Sequence, residues 1–225
     1  VSAWSADEST LSLWEDFRDP YVRDRVLRCA EGLARRDFGV RAVPTISEAN
    51  RQIVGKVDRR RNIYYWGPTL EELGMLETLH ARGNAVRSSF PLVGGTARLG
   101  SRPRRLTESD VYMTSACAVT VDGILVEISP EGLDIFAPGS SPGMVVVVAG
   151  YNKIVDDLDE GLRRSRDICI PQCARLLDLG LPCEKSGRCI ECDTPHPICS
   201  VLSVVTRKPR GPDILVVLVG EQLGY

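Results

Sequence analysis

Cys183, Cys189, Cys192 and Cys199 fall within LPCEKSGRCIECDTPHPICS, residues 181–200, at gaps of five, two and six residues. Only one pair is a Cys-x-x-Cys. A zinc ribbon or finger closes its tetrahedron with two such knuckles, or with a cysteine pair and a histidine pair. A single Cys-x-x-Cys with two more distant thiolates suits the wider spread of irons in a 4Fe-4S cube, although neither common ferredoxin spacing is present. The spacing therefore favours a 4Fe-4S cluster as cofactor, ahead of zinc, with disulfides or unligated thiols behind both. Pro182, Gly187, Thr194, Pro195 and Pro197 break regular structure and let the backbone wrap a compact object. Lys185 and Arg188 either offset the charge of a thiolate-bound cluster or are plain surface charge.

Other chemistry-bearing residues lie upstream. Cys117, Cys169 and Cys173 can ligate, carry sulfur or act as nucleophiles, although cysteine is also a common core residue. Cys29 sits among apolar residues at helical spacing and reads as core. Lys153 follows a strand-like run, where an ammonium can hold a carboxylate or polarise a carbonyl; Glu72, Asp122 and Glu127 are candidate general bases. His80 and His196 are the only histidines, so a histidine-rich centre is excluded; His196 lies inside the cysteine loop and is the one histidine placed to donate a proton there. Arg98, Arg102, Arg104 and Arg105 crowd a Gly/Pro/Ser-rich stretch that reads as a solvated loop.

The elements that must position these groups read as an α/β arrangement. Residues 9–36 carry apolar side chains at helical spacing, interrupted by Pro20, and predict an N-terminal helical layer over 1–38. Beyond Val40, short apolar strands alternate with amphipathic segments: a helix near Ser47 to Val57, a strand over Asn62 to Trp66, a helix over Leu70 to Arg82. Such alternation predicts a mostly parallel sheet flanked by helices. Thr69 and Glu72 stand in capping-box register, which puts the Trp66–Thr69 turn at a strand's carboxyl end, the edge where open α/β sheets bind ligands. Strands are expected at Val111 to Thr114, Cys117 to Val121 and Ile124 to Ile128, the last two joined at Asp122-Gly123. MVVVVAG, VLSVVTR and DILVVLV read as further strands, and YNKIVDDLDEGLRRSRD as a helix.

Several of these stretches resemble the LUD (lactate utilisation) family, specifically its short members with a C-terminal four-cysteine loop. The resemblance rests on VAGYNKIVDDLDEGLRR, LPCEKSGRCIECDTPHPIC and DILVVLVGEQLGY, with TLEELGM and TSACAVTVDGILVEI similar to ligand-site strands, and it spans roughly Ser47 to Tyr225. It implies one domain over 1–225, a fold like that of the sugar-phosphate isomerase and CoA-transferase superfamily, and a link to oxidation of lactate-like hydroxy acids beside iron-sulfur partner proteins. Where relatives carry a glycine pair before TLEELG, this chain has Tyr65 and Trp66; Cys117 and Cys173 replace two usual asparagines; and EISPEGLD lacks the asparagine and arginine that would suit an anion. A retained cysteine loop beside a rebuilt pocket implies the same cofactor acting on a different substrate.

Charged residues make up 26% of the 225 and net charge is −2 with both signs interspersed, so neither nucleic acid nor a membrane surface is expected as a partner. The longest apolar runs have strand length, far short of the ~20 residues of a bilayer span. The polar, acidic opening VSAWSADESTLSLWEDF predicts a cytoplasmic protein, where clustered cysteines are ligands or redox groups rather than disulfides. The reading is thus an iron-sulfur-dependent enzyme acting on a small polar metabolite by dehydration, isomerisation or sulfur removal. Its catalytic residues are Cys117, Lys153 and Glu127, and its substrate-binding residues are Tyr65, Trp66, Thr69, Asn152 and Cys173. The alternative is a non-catalytic, metal-stapled or electron-relay protein serving a redox partner. A homodimer is compatible with either.

Overall fold

A computed structural model describes residues 17–88, 109–130, 143–195 and 197–225. The residues of the expected loop with its four arginines, the first part of the N-terminal layer, and His196 lie outside these.

The described chain begins with α1 (Pro20–Arg35), started by Asp19, whose carboxylate accepts from Tyr21 N at 2.8 Å while Pro20 occupies the first turn, where no N–H is needed. The following elements are β1 (Gly39–Val43), α2 (Ile46–Lys56), β2 (Asn62–Tyr65), α3 (Pro68–Glu72), α4 (Leu76–Ala81), β3 (Ala85–Ser88), β4 (Val111–Ser115), β5 (Ala118–Thr120), β6 (Leu125–Ser129) and β7 (Met144–Gly150). After a single turn at Tyr151–Lys153 come β8 (Ile154–Val155), α5 (Leu158–Arg164), a wider π-helical turn (Ser165–Cys169), α6 (Ile170–Leu176), α7 (Pro182–Ser186), β9 (Val201–Val205) and β10 (Asp213–Val219).

Six strands form one all-parallel sheet in the order β1-β10-β7-β4-β2-β3. Both faces are covered, which is why MVVVVAG and DILVVLV are apolar throughout rather than alternating. Alternation survives as a division between two cores. Val145, Val147, Ala149, Val216 and Leu218 pack beneath α1, while Val146, Val148, Leu215, Val217 and Val219 pack with Ala49 and Ile53 of α2 and Leu70 and Leu79 of α3 and α4. A second sheet, β8-β5-β6-β9, is mixed: β5 pairs parallel with β8, and β6 antiparallel with β5 and β9. The Asp122-Gly123 hairpin is therefore present, with Gly123 at φ +90°. Gly32 of α1 lies against this turn so closely that a methyl there would meet Asp122 C at 2.5 Å.

Two predicted helices differ. The expected helix over Leu70 to Arg82 is split into α3 and α4, because Gly74 takes φ +67° between them. The capping box does not form: Gly67 is the cap residue, and Thr69 and Glu72 are both inside α3 with other partners. The helix expected from Tyr151 starts instead at Leu158, capped by Asp157, because Ile154 and Val155 pair with β5; it then continues through the π turn to Leu176.

Candidate functional site

In the parallel sheet β2 and β4 are neighbours, but the chain leaves β2 toward β3 and leaves β4 toward β7, in opposite directions. Such a switch point opens a crevice at the strands' carboxyl ends. A cavity of about 70 Å³ lies there, room for a few water-sized groups. Trp66 and Gly67 reach it from the end of β2, Ser115 and Cys117 from the end of β4, and Lys153 from the turn after β7. Ile128, Ile170, Leu177 and Ile198 make most of its wall apolar.

Its floor is a knot of polar groups. Lys153 is 2% exposed. Its Nζ donates to Thr69 Oγ1 at 2.8 Å and to Ser115 Oγ at 3.2 Å, two hydroxyls rather than a carboxylate. Burial lowers its pKa, opposed by the negative charge of Cys169, Cys117 and Glu127. Arg164 is buried as well and donates to the carbonyls of Cys117 at 2.5 Å, Asn152 at 3.1 Å and Tyr225 at 3.1 Å, and to Cys169 Sγ at 2.9 Å. The π turn makes this last contact: it widens the helix between Arg164 and Cys169 so that residues five apart reach one another. A hydrogen bond from Cys117, then the nearby Arg164 and Lys153, outweigh burial and bring the Cys169 thiol down to about 6. Cys117 is driven the other way, first by that shared hydrogen and then by burial and Glu127, so it holds its proton. Glu127 accepts from Cys117 N at 2.9 Å.

The cysteine loop adjoins this cavity. Cys183, on α7, packs in one apolar cluster with Cys117, Cys169, Ile170 and Ile198. Cys189 and Cys192 are half-buried and Cys199 is exposed. The four sulfurs are near enough to hinder one another's ionisation: Cys183, raised first by burial, is raised further by Cys192 and Cys199, and Cys199 likewise by Cys189 and Cys192. Gly187 at φ +69° and Glu191 at φ +51° turn the backbone between them. Among the described residues no three His, Cys, Asp or Glu groups stand close enough to hold a metal ion. As a donor set, four soft thiols on one turning loop match what iron-sulfur clusters and zinc take, and their mutual repulsion is what a bound cation would relieve.

The match that decides the family is to the LUD domain, over residues 27–219. The chain belongs to the LUD domain family. No curated protein matches it. Among solved structures, a DUF162 family protein from Deinococcus radiodurans is similar over 94% of this chain and 96% of its own, at 14% identity and a TM-score of 0.39.

In this LUD chain Cys117, Lys153, Glu127, Trp66, Thr69 and Cys173 all line the cavity. Tyr65 and Asn152 do not. The two-residue period of β2 turns Tyr65 away from Trp66 into the opposite core, where its hydroxyl donates to Glu71 at 2.6 Å. Asn152 clamps the last residues of the chain, accepting from Leu223 N at 3.0 Å and donating to Gly224 O at 3.0 Å. Glu72 joins that clamp through Gly224 N at 2.8 Å. Asp122 belongs to the hairpin; its bond from Thr120, and then Arg36, ion-paired with it at 2.7 Å, lower its pKa. His80 is exposed on α4 and Cys29 is fully buried. Arg164 and Ser115 carry no local sequence signal. Cys169 was one thiol among several, and only its tertiary neighbours distinguish it. No helix among the described residues is long and apolar enough to cross a membrane.

Proposed function

We propose that this LUD protein is an enzyme acting on a small metabolite in the Lys153 cavity, with a 4Fe-4S cluster held beside it by Cys183, Cys189, Cys192 and Cys199. The observation that carries the reading is Lys153 itself, an amine buried at a strand-end crevice with hydroxyl partners. Burying an ammonium is costly without compensation, and such groups concentrate where chemistry needs them. Lys153 is placed to donate a hydrogen bond to a carbonyl or carboxylate oxygen of a bound molecule. Thr69 and Ser115 fix the direction of that donation. Trp66, Ile128, Ile170 and Leu177 exclude water from the same space, which strengthens every polar contact inside it. A cluster held by three of these thiolates would leave one iron open as a Lewis acid for dehydration, isomerisation or sulfur removal, and one held by all four would supply a site for one electron.

A second reading, electron relay to a partner protein, draws on the loop's exposed residues, Cys199 and Ile190, the latter 50% exposed. Purification without oxygen separates the possibilities. Brown protein with about four irons and four sulfides per chain supports the cluster. A colourless protein with one zinc overturns it. A cluster spectrum that changes with small hydroxy or oxo acids, and loses that response in Lys153→Met, supports the enzyme over the relay.

A further inference from the structure

Of the four lysines in the chain, Lys153 alone is buried; Lys56 and Lys185 are exposed and Lys208 is half-buried. Its Nζ lies in the cavity wall, 2.8 Å from Thr69 Oγ1 and 3.2 Å from Ser115 Oγ. An ammonium carries three donors and no acceptor, and a buried one calls for a carboxylate. Two hydroxyls suit a neutral amine instead, because each can accept from an N–H or donate to the nitrogen lone pair. The apolar wall of Ile128, Ile170, Leu177 and Ile198 acts in the same direction, since it withholds the water that a charge needs. Arg164 adds to this while Cys169, Cys117 and Glu127 oppose it, and burial prevails in lowering the lysine's pKa. Gly224 closes one side of the amine: a Cβ there would overlap Thr69 Oγ1 and stand 3.0 Å from Nζ, so the nitrogen's open side is the one facing the cavity.

We propose that Lys153 forms a Schiff base with a small neutral aldehyde or ketone bound in this cavity. The nitrogen lone pair attacks the carbonyl carbon, the C=O π pair moves onto oxygen, and one N–H proton passes to that oxygen by way of the Thr69 or Ser115 hydroxyl. In the carbinolamine so formed, the nitrogen lone pair makes a double bond to carbon as the hydroxyl leaves with the second N–H proton, as water. One carbonyl and one amine give one imine and one water; nothing is oxidised or reduced, and addition of water reverses the step. The cavity, about 70 Å³, limits the carbonyl compound to a few heavy atoms. With the amine neutral, the buried guanidinium of Arg164 and the carboxylate of Glu127 balance, so no surplus charge remains to attract an anion. Once its nitrogen takes a proton, the imine is a stronger electron sink than the carbonyl it replaces, which suits the dehydration or isomerisation proposed for this cavity. The inference rests on reading the Lys153 cavity as a substrate site and needs no metal on the loop.

The unaltered protein serves for the test. Propanal and sodium cyanoborohydride are added near neutral pH, and peptide mass spectrometry reads the reduced adduct at each of the four lysines. Each unit by which a pKa falls below the ordinary lysine value raises the neutral fraction there about tenfold. Propylated Lys153 is therefore expected to form at least about tenfold faster than the adducts at Lys56, Lys185 and Lys208. Thr69→Val should slow capture at Lys153, whereas Thr69→Ser, which keeps the hydroxyl, should not; a slowing common to both would remove Thr69 from the proton path. The Schiff base is overturned if Lys153 stays unlabelled while the other three react, or if it reacts no faster than they do. Capture of pyruvate in preference to propanal overturns the neutral class of carbonyl. Propanal captured by iron-free protein refutes the cluster half of the proposed function alone. Iron-loaded protein whose spectrum responds to hydroxy acids through Lys153, yet which captures no propanal, refutes the Schiff base alone.

Discussion

Gly32 offers the sharpest test of how the hairpin is held against α1. An alanine there has a Cβ 2.5 Å from Asp122 C and 2.6 Å from Val121 O, and the reciprocal atom on Gly123 would meet Gly32 C at 2.3 Å. Both sides of the contact are backbone, so no side chain can swing away. Ordinary contact begins at 3.4 Å, so α1 and the turn must separate by about 0.9 Å. Against this stands the helix preference of Ala over Gly, about 1 kcal/mol. Overpacking costs about 1–3 kcal/mol, and a clash that only rigid elements can relieve falls at or beyond the upper end. A net loss of about 2 kcal/mol follows, or roughly 4–8 °C in Tm for a chain of this size. The internal control is Gly55 near the end of α2, where a Cβ would meet nothing within 4 Å. Gly55→Ala should stabilise by about 0.5–1 kcal/mol, the same substitution with the opposite sign. Thermal unfolding by circular dichroism, with urea midpoints at unchanged slope, measures both. If Gly32→Ala proves as stable as the parent, the close approach of α1 to the hairpin is wrong.

Other outcomes are equally specific. Cys192→Ser should abolish iron binding and increase proteolysis of the 181–200 loop, whereas Cys173→Ser should leave iron content unchanged; metal analysis after anaerobic reconstitution decides. Because the folded Cys169 value of about 6 lies below its ordinary 9.0, the unfolded chain takes up that proton first as pH falls. Its stabilisation is thus complete above pH 9.0 and is lost as pH falls through about 6, while Cys117, raised, works against stability above 9.0. Cys169→Ser should flatten the rise in urea midpoint between those pH values, and an unaltered slope would contradict the assignment. Asn152→Ala removes both bonds to Leu223 and Gly224 and should cost about 1–3 kcal/mol. Amide hydrogen exchange should show the last residues opening while β10 stays protected.

Strand identity was legible because buried parallel strands are written as unbroken Val/Leu/Ile runs, and the carboxyl-edge location of Trp66 and Lys153 followed from their positions just beyond such runs. The failures have local causes. Tyr65 and Trp66 were assigned together to the pocket, but adjacent strand residues face opposite sides. Thr69 and Glu72 match a capping box in spacing, yet Pro68 begins the helix two residues earlier and frees both side chains for tertiary bonds. Arg164 was illegible for a different reason: in DEGLRRSRD it reads as one of three surface arginines, and only the π turn, which no propensity announces, carries it inward to Cys169.

The placement of β10 between β1 and β7 has a consequence for how the molecule comes into being. Gly39 pairs with Leu215, so the first described strand has no neighbour in its sheet until the last one has been made. Emerging from the ribosome, the chain carries β1 and the apolar β7 with the slot between them vacant, and nothing local can fill it. Contacts of such sequence separation form late and slowly. The four-cysteine loop is synthesised before that slot is filled, so its thiols meet solvent while the core beside them is still open.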